Sequence, residues 1–441
     1  MEHTIRLISI FCIVTCLHIQ CAGIKDTTIE MPNKPVEIKN PNAVSSAHGR
    51  IERVLLALPK YGEDTQHVWD LLADLSRKLP HYTKLELLVY DNEATQKAVE
   101  NTLKQEVVDY FFYDENIGDK QHLTELRNTK RCCIIKNPNY HNFSIWVQDP
   151  FLVVADEEYN SSGLILIEPE EGLKGTDDDE IADHFEKLDI YRAENAPLSF
   201  HGGNVLVADD FILVGANHFN STKKIVAKEL KRVEDCKTLD ERTRNHFARY
   251  LGRDMKIIPV GNTKYHHCKI DGEIQKGRGV VKEPFTHIDM YISPAGRDEN
   301  GQYQLVIGDP IAMNVDDESA VQSLKGLMEP VVENLTSQGF KIIRNPMPLN
   351  NVSGNSYYCY YNNSLIEIDE NSKRIWIPTF GHGDWKESLR RYDIQNREIW
   401  RDLGFEVIEL MDFHPFVRQK AGVRCVTKFM GRFNIYDIHS E

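Results

Sequence analysis

One unit recurs along this chain and limits its fold more than any other feature. Apolar residues at helical spacing run into a short apolar strand, and a loop rich in Gly, Asn or Pro follows. The clearest copy puts Val321, Leu324, Leu327, Met328, Val331, Val332 and Leu335 on one helix face, stops at Gly339 and continues as a strand over 340–343. A second copy is helical over 385–403, stops at Gly404 and is extended over 405–408. A third joins 246–251 through Gly252 to 255–258. Helix 94–103 before strand 107–111, and helix 181–188 before 198–215, give two more. Val68, Leu71, Leu72, Leu75 and Leu79, followed by 85–90, form a helix and strand at the entrance. The irregular spacing does not suit a solenoid, and the strand content does not suit a helical array. A closed ring of mixed strand–helix units around a shared core fits better than the alternative, an ordinary three-layer α/β fold.

The ends of the chain read differently. Arg6 precedes an apolar run over 7–19, broken only by Ser9, Thr15 and His18, and Cys21-Ala22-Gly23 supplies small residues. This is the pattern of a secretory signal over 1–23, with cleavage after Gly23. The run is short for a membrane span, so no membrane attachment is expected after cleavage. Residues 24–50, with Pro32, Pro35 and Pro41, read as a linker, and 51–441 as one domain. Of nine cysteines, Cys12, Cys16 and Cys21 leave with the signal. Cys236 and Cys268 are a candidate disulfide among the rest. The His266-His267-Cys268 run reads as loop, with no second ligand pair nearby for zinc. Asn-x-Ser/Thr sequons at Asn142, Asn160, Asn220, Asn334, Asn351 and Asn362 fit an exported glycoprotein. The net charge of -15 excludes nucleic acid, which needs clustered positive charge. It suits a cationic substrate, though many acidic proteins simply stay soluble this way.

Five polar motifs stand at matching points of the repeat: Trp146-Val147-Gln148-Asp149-Pro150, His201-Gly202-Gly203-Asn204, His287-Ile288-Asp289, Asn362-Asn363-Ser364 and Arg424-Cys425-Val426-Thr427. Taken singly each is ordinary: an aspartate beside Pro caps turns, Gly-Gly is a turn, and a cysteine among valines is core. In a ring, the five points would converge, and the set has one chemistry. A guanidinium is a planar cation with its N–H donors in a fixed fork, which the carboxylates of Asp149 and Asp289 can grip. The Cys425 thiolate can attack its central carbon, and His287 can protonate the departing ammonia and then activate water. On a strand, His287 and Asp289 would share one face.

These motifs resemble the guanidino-group-modifying superfamily of deiminases and amidinotransferases, and among them most of all the peptidylarginine deiminases. The similarity covers roughly 51–437 in the family's motif order. It implies a five-bladed pseudosymmetric α/β propeller. Trp146 to Asp149 is similar to the family's Trp-x-Gln-Asp, whose Asp binds the guanidinium. Gly202-Gly203-Asn204 resembles its Gly-Gly-Asn. His287-x-Asp289 matches the acid/base and second carboxylate, and Cys425-x-Thr427 the nucleophile. Asn363 matches an asparagine near the site, with Asn362 as the other register. The resemblance implies catalysis by Cys425, His287, Asp149 and Asp289, and substrate binding by the two aspartates with Trp146, Asn204, Asn363 and Arg424. It implies no required cofactor. Calcium is an expectation of resemblance only, since the immunoglobulin-like domains of the large animal enzymes have no room here. Two departures stand out: Arg424 replaces the usual His before the nucleophile, and His201 replaces the Glu that agmatine deiminases carry before Gly-Gly. The expected activity is deimination of arginine in peptides or proteins to citrulline and ammonia. The alternatives are deimination of, or amidine transfer from, a small guanidine such as agmatine or free arginine, and a secreted non-catalytic binder. A papain-like protease would need the reverse order of Cys and His.

Overall fold

Each polar motif is one tight turn, and each turn starts a sheet. The five turns share one backbone hydrogen bond: Asp149 N to Trp146 O (3.2 Å), Asn204 N to His201 O (2.9 Å), Tyr291 N to Ile288 O (3.2 Å), Asn363 N to Tyr360 O (3.1 Å) and Thr427 N to Arg424 O (3.2 Å). The structure, a computed structural model, describes residue 38 and residues 40–433, apart from 62–64, 115–119, 138–142, 157–162, 172–176, 231–234, 271–272 and 353–354. Residues 1–23, read above as a signal, and their three cysteines lie outside the described residues, which belong to one unit, Glu37–Glu441.

After each turn the chain repeats one plan. A first strand pairs antiparallel with a second, and a helical crossover returns a third strand parallel to the second. The first sheet has Leu152–Asp156, Leu164–Glu171 and Arg192–Ser199, with helix Ile181–Lys187 as the crossover. The next has Val205–Val207, Phe211–Gly215 and Lys256–Val260, with helices Ala216–Glu229 and Cys236–Leu251. The third has Ile292–Arg297, Tyr303–Ala312 and Lys341–Val352, with helix Glu318–Ser337, and adds Asn355–Tyr358. The fourth has Leu365–Ile368, Lys373–Thr379 and Glu406–Asp412, with helix Lys386–Asp402. The fifth joins the two ends of the chain: Lys428–Phe433 pairs antiparallel with Arg50–Leu58, which runs parallel to Lys84–Tyr90 across helix Gln66–Lys78. Cys132–Asn137 and Tyr110–Tyr113 extend that sheet. The crossovers explain the parallel pairs, since parallel neighbours need a long connection.

Periodicity located these elements well. Val321, Leu324, Met328, Val331 and Leu335 are the buried face of their helix. Gly339 and Gly404 take φ of 97° and 85°, which a glycine adopts without strain, and so end their helices. Three expectations need correction. Residues 40–50 are not linker: Pro41–Ala43 adds an edge strand to Leu152–Asp156, and Ser46 N bonds Val207 O (2.8 Å). Val107 is not in a strand. It is 91% exposed in the turn that ends helix Glu93–Gln105, and the strand begins at Tyr110. The stretch around His266 is not loop but strand Asn262–Ile270, paired in a hairpin with Glu273–Lys282, because nine facing residue pairs satisfy its backbone. The side chains of this hairpin, Cys268 included, lie outside the described residues. Cys236 is disulfide-bonded, while Cys132, Cys133, Cys359 and Cys425 are free and buried. Asn362 cannot carry a glycan: it is buried, accepts from Asn345 Nδ2 (3.0 Å) and donates to Val306 O (2.7 Å). Asn142 and Asn160 lie outside the described residues. No helix among the described residues is long and apolar enough to cross a membrane.

Candidate active site

The site is organised around a backbone atom. Gly203 N donates to Asp149 Oδ1 (2.9 Å). A Cβ on Gly203 would lie 2.8 Å from His287 Nδ1 and 3.1 Å from both Asp149 Oδ1 and Asp289 Oδ2. Three side chains from two other turns therefore crowd one point on the Gly203 turn, and only a glycine leaves them room. His287 and Asp289 reach it from a 3-10 turn, not a strand: His287 is extended, and Ile288–Met290 forms the turn. A strand was expected from their spacing, but the first strand of that sheet starts only at Ile292.

The two asparagines work behind this point. Asn204, fully buried, accepts from Ile288 N (2.9 Å) and so fixes the His287 turn. Asn363, also fully buried, accepts from Cys425 N (3.2 Å) and donates to Asp289 O (3.3 Å). Asn363 thus ties the nucleophile's backbone to the carboxylate's. Both were expected to touch substrate; in this structure each uses its amide to fix a neighbouring turn. Trp146 is half-buried against the central core, and its carbonyl closes the Asp149 turn.

Electrostatics divides the site in two. On one side, His287 Nδ1 lies 3.7 Å from Asp149 Oδ1, and His287 Nε2 faces His201 Nδ1 at 3.1 Å. His201 packs on His218, with ring centroids 4.8 Å apart, and His218 Nδ1 meets Ser199 Oγ at 3.1 Å. Burial lowers His201 and drives His218 down to about 3, so this pair is neutral and can orient the His287 ring. On the other side, Arg424 Nε lies 3.3 Å from Asp289 Oδ2, and Arg424 Nη2 donates to Ser46 Oγ (3.0 Å). Burial lifts the Asp289 carboxyl to about 6, against the pull of Arg424. Lys428 Nζ donates to Gln148 O (3.0 Å) and to Phe151 O, and burial brings its ammonium down to about 7. Cys425 is a free, buried thiol held well above its ordinary range by burial and then by Asp289 and Asp149.

The site is narrow. A void of about 20 Å³ borders Ser46, Gln148, Arg424 and Lys428. A cavity of about 580 Å³, lined by Phe219, Arg244, Lys256 and neighbours, shares no residue with the site. Among the described residues, Asp149, His201 and His287 bring one donor atom each within 4.8 Å of one another, close enough to hold a metal ion. Two imidazoles and one carboxylate suit a transition ion; calcium, which takes oxygen ligands, does not fit them.

No protein-family model and no curated protein sequence matches this chain. Solved structures do. Agmatine deiminase of C. jejuni aligns over 89% of this chain and 96% of its own, with a TM-score of 0.55 at 12% identity. A Porphyromonas gingivalis protein provisionally assigned as an arginine deiminase aligns over 88% and 97%, with a TM-score of 0.54 at 14% identity. A protein provisionally assigned as a peptidyl-arginine deiminase aligns over 88% and 98%, again at 0.54 and 14%. The chain has the fold of the guanidino-group-modifying enzymes. On this guanidino-enzyme fold the residues expected from the motifs, Asp149, His287, Asp289, Arg424 and Cys425, come from turns that meet. Sequence reasoning missed three members of the set. His201 stood in the second polar motif and as a departure from the family, but was given no role in the site. Lys428, in the strand that follows Cys425, gave no polar pattern, and Ser46 fell in the expected linker.

Proposed function

We propose that the protein hydrolyses a guanidine C–N bond with Cys425 as nucleophile, and that the guanidine is an arginine side chain in a peptide or protein. The observation that carries this reading is the meeting of Asp149, His287 and Asp289 at Gly203, with Cys425 tied to Asp289 through Asn363. The two carboxylates grip the guanidinium N–H groups. Burial and then the two anions keep the Cys425 thiol protonated in the free protein; the substrate's positive charge offsets the anions, and the thiol passes its proton to His287 as substrate binds. The thiolate adds to the central carbon, His287 protonates one nitrogen, and ammonia leaves a thiouronium on Cys425. Water, losing a proton to His287, adds to the same carbon. The C–S bond breaks, the thiolate returns, and a ureido group is released. Each step uses side chains of this chain and water.

The five matched turns, and the pairing of Lys428–Phe433 with Arg50–Leu58, support reading the five sheets as blades of a pseudosymmetric α/β propeller. The signal-like 1–23 segment supports export, and so does the disulfide at Cys236, since disulfides persist in oxidising compartments. Export favours peptide targets. A small guanidine is the second reading, because C. jejuni agmatine deiminase shares the fold. The test incubates the mature protein with an arginine peptide, with free arginine and with agmatine, and measures ammonia and product mass. The peptide is expected to become citrulline, and Cys425→Ala to abolish this while keeping the fold. Unchanged turnover in Cys425→Ala would sink the nucleophile assignment.

A further inference from the structure

Arg424 is placed where a substrate cation would bring its charge. It is buried, sits next to Cys425 on the 3-10 turn Arg424–Val426, and contacts Asp289 at 3.3 Å. Asp289 is fully buried. Yet the contact is a single ion pair with poor hydrogen-bond alignment: at 3.3 Å Arg424 Nε offers Asp289 Oδ2 a weak hydrogen bond, and Asp289 Oδ1 has no partner among the described residues. A buried carboxylate so incompletely satisfied is unusual, because such groups are ordinarily satisfied. Arg424 therefore neutralises Asp289 without completing its hydrogen bonds. A second guanidinium, approaching in the plane of the carboxylate, could supply them in the paired geometry.

We propose that Arg424 is a built-in competitor for the substrate guanidinium: its charge holds Asp289 in the free protein, and a substrate cation must displace it to complete the carboxylate clamp. The inference rests on the reading of Asp289 as a guanidinium-binding group. Arg424 then sets the affinity of the site for cations and leaves its affinity for the neutral ureido product nearly untouched. Cations held by the second carboxylate alone would bind weakly.

The experiment measures binding and turnover separately. Binding of an arginine peptide and of the matching citrulline peptide is followed by calorimetry in Cys425→Ser, alone and combined with Arg424→Gln or Arg424→Lys. The pH is set above the Asp289 value, so that its carboxylate is charged. Arg424→Gln is expected to tighten arginine-peptide binding by about tenfold or more, with no change for the citrulline peptide. Arg424→Lys keeps the charge and is expected to stay near the parent affinity, which separates competition from a folding defect. Unchanged or weaker arginine-peptide binding in Arg424→Gln, with its melting temperature intact, would overturn the proposal. If Arg424→Gln does not fold, Arg424→Lys carries the test through salt: rising ionic strength should leave the Lys variant and the parent parallel, and divergence of the two would overturn it. Tighter binding in Arg424→Gln together with no turnover of any guanidine by the Cys425 protein would uphold the competitor and sink the hydrolase reading.

Discussion

At the scale of single residues, the carboxylates, the imidazole and the thiol were legible because the chemistry of a guanidinium demands that set and the motif order supplies it. Their supports were not. Ser46 reaches the site across hundreds of residues of sequence, and Lys428, though only three residues after Cys425, carries no local signal of its contact with the Gln148 carbonyl. The two asparagines were legible as residues, but the turns that their amides fix were not. Gly203 offers the sharpest test at this scale. Its missing Cβ is the space in which His287, Asp149 and Asp289 stand, and the backbone there is not in the left-handed region. Gly203→Ala should therefore fold, push the three groups apart and lower turnover roughly 10²-fold, the cost of a misplacement of about 1 Å. Steady-state kinetics with a melting curve checks this. Wild-type turnover in Gly203→Ala would mean that the three groups do not act together.

At the scale of elements, helices and strands were legible from apolar spacing and glycine stops, because one face of each packs on a core. Polar elements were harder to see. The helix Lys120–Thr129 buries only Leu123 among apolar residues and carries little pattern. It is fixed instead by a buried ion cluster that no sequence period announces. Arg127 Nε donates to Glu86 Oε1 (2.7 Å), Arg53 Nη1 lies 3.3 Å from the same oxygen, and Tyr191 donates to Glu86 Oε2 (2.7 Å). Arg127 also lies over the Tyr191 ring, 4.4 Å from its centroid. Glu86 is fully buried on strand Lys84–Tyr90, so the cluster joins strand, helix and the neighbouring sheet. Its two arginines hold the Glu86 carboxyl below its ordinary range despite burial. Glu86→Gln keeps the shape and removes the counter-charge of two half-buried or buried guanidiniums. It should cost about 3–5 kcal/mol of stability in chemical denaturation. A midpoint equal to wild type would show that water, not Glu86, satisfies the arginines.

At the scale of the whole molecule, the repeat pointed to several similar units, but sequence could not show how the last of them is completed. Its sheet depends on pairing of residues far apart in the chain. Lys428–Phe433 lies against Arg50–Leu58, and Arg432 donates to the carbonyls of Ser45, Ala47, Gly49 and Ile366 at 2.6–3.2 Å. That is why residues 40–50 belong to the fold although their prolines suggested a linker. It also places Arg424 and Cys425 immediately before the strand that pairs with Arg50–Leu58. Export is proposed at this scale too. N-terminal sequencing of protein recovered from the medium should begin after Gly23, and a cytosolic product retaining Met1 would contradict it. The central claim is that Cys425 becomes covalently joined to the carbon of a guanidine. Its most direct test is the mass of the protein quenched during turnover of an arginine peptide, followed by fragmentation of the segment that contains Cys425. The expected result is a thiouronium adduct on Cys425 that disappears as substrate is exhausted and is absent in Cys425→Ala. Steady citrulline formation with Cys425 unmodified at every time, and undiminished in Cys425→Ala, would contradict the account.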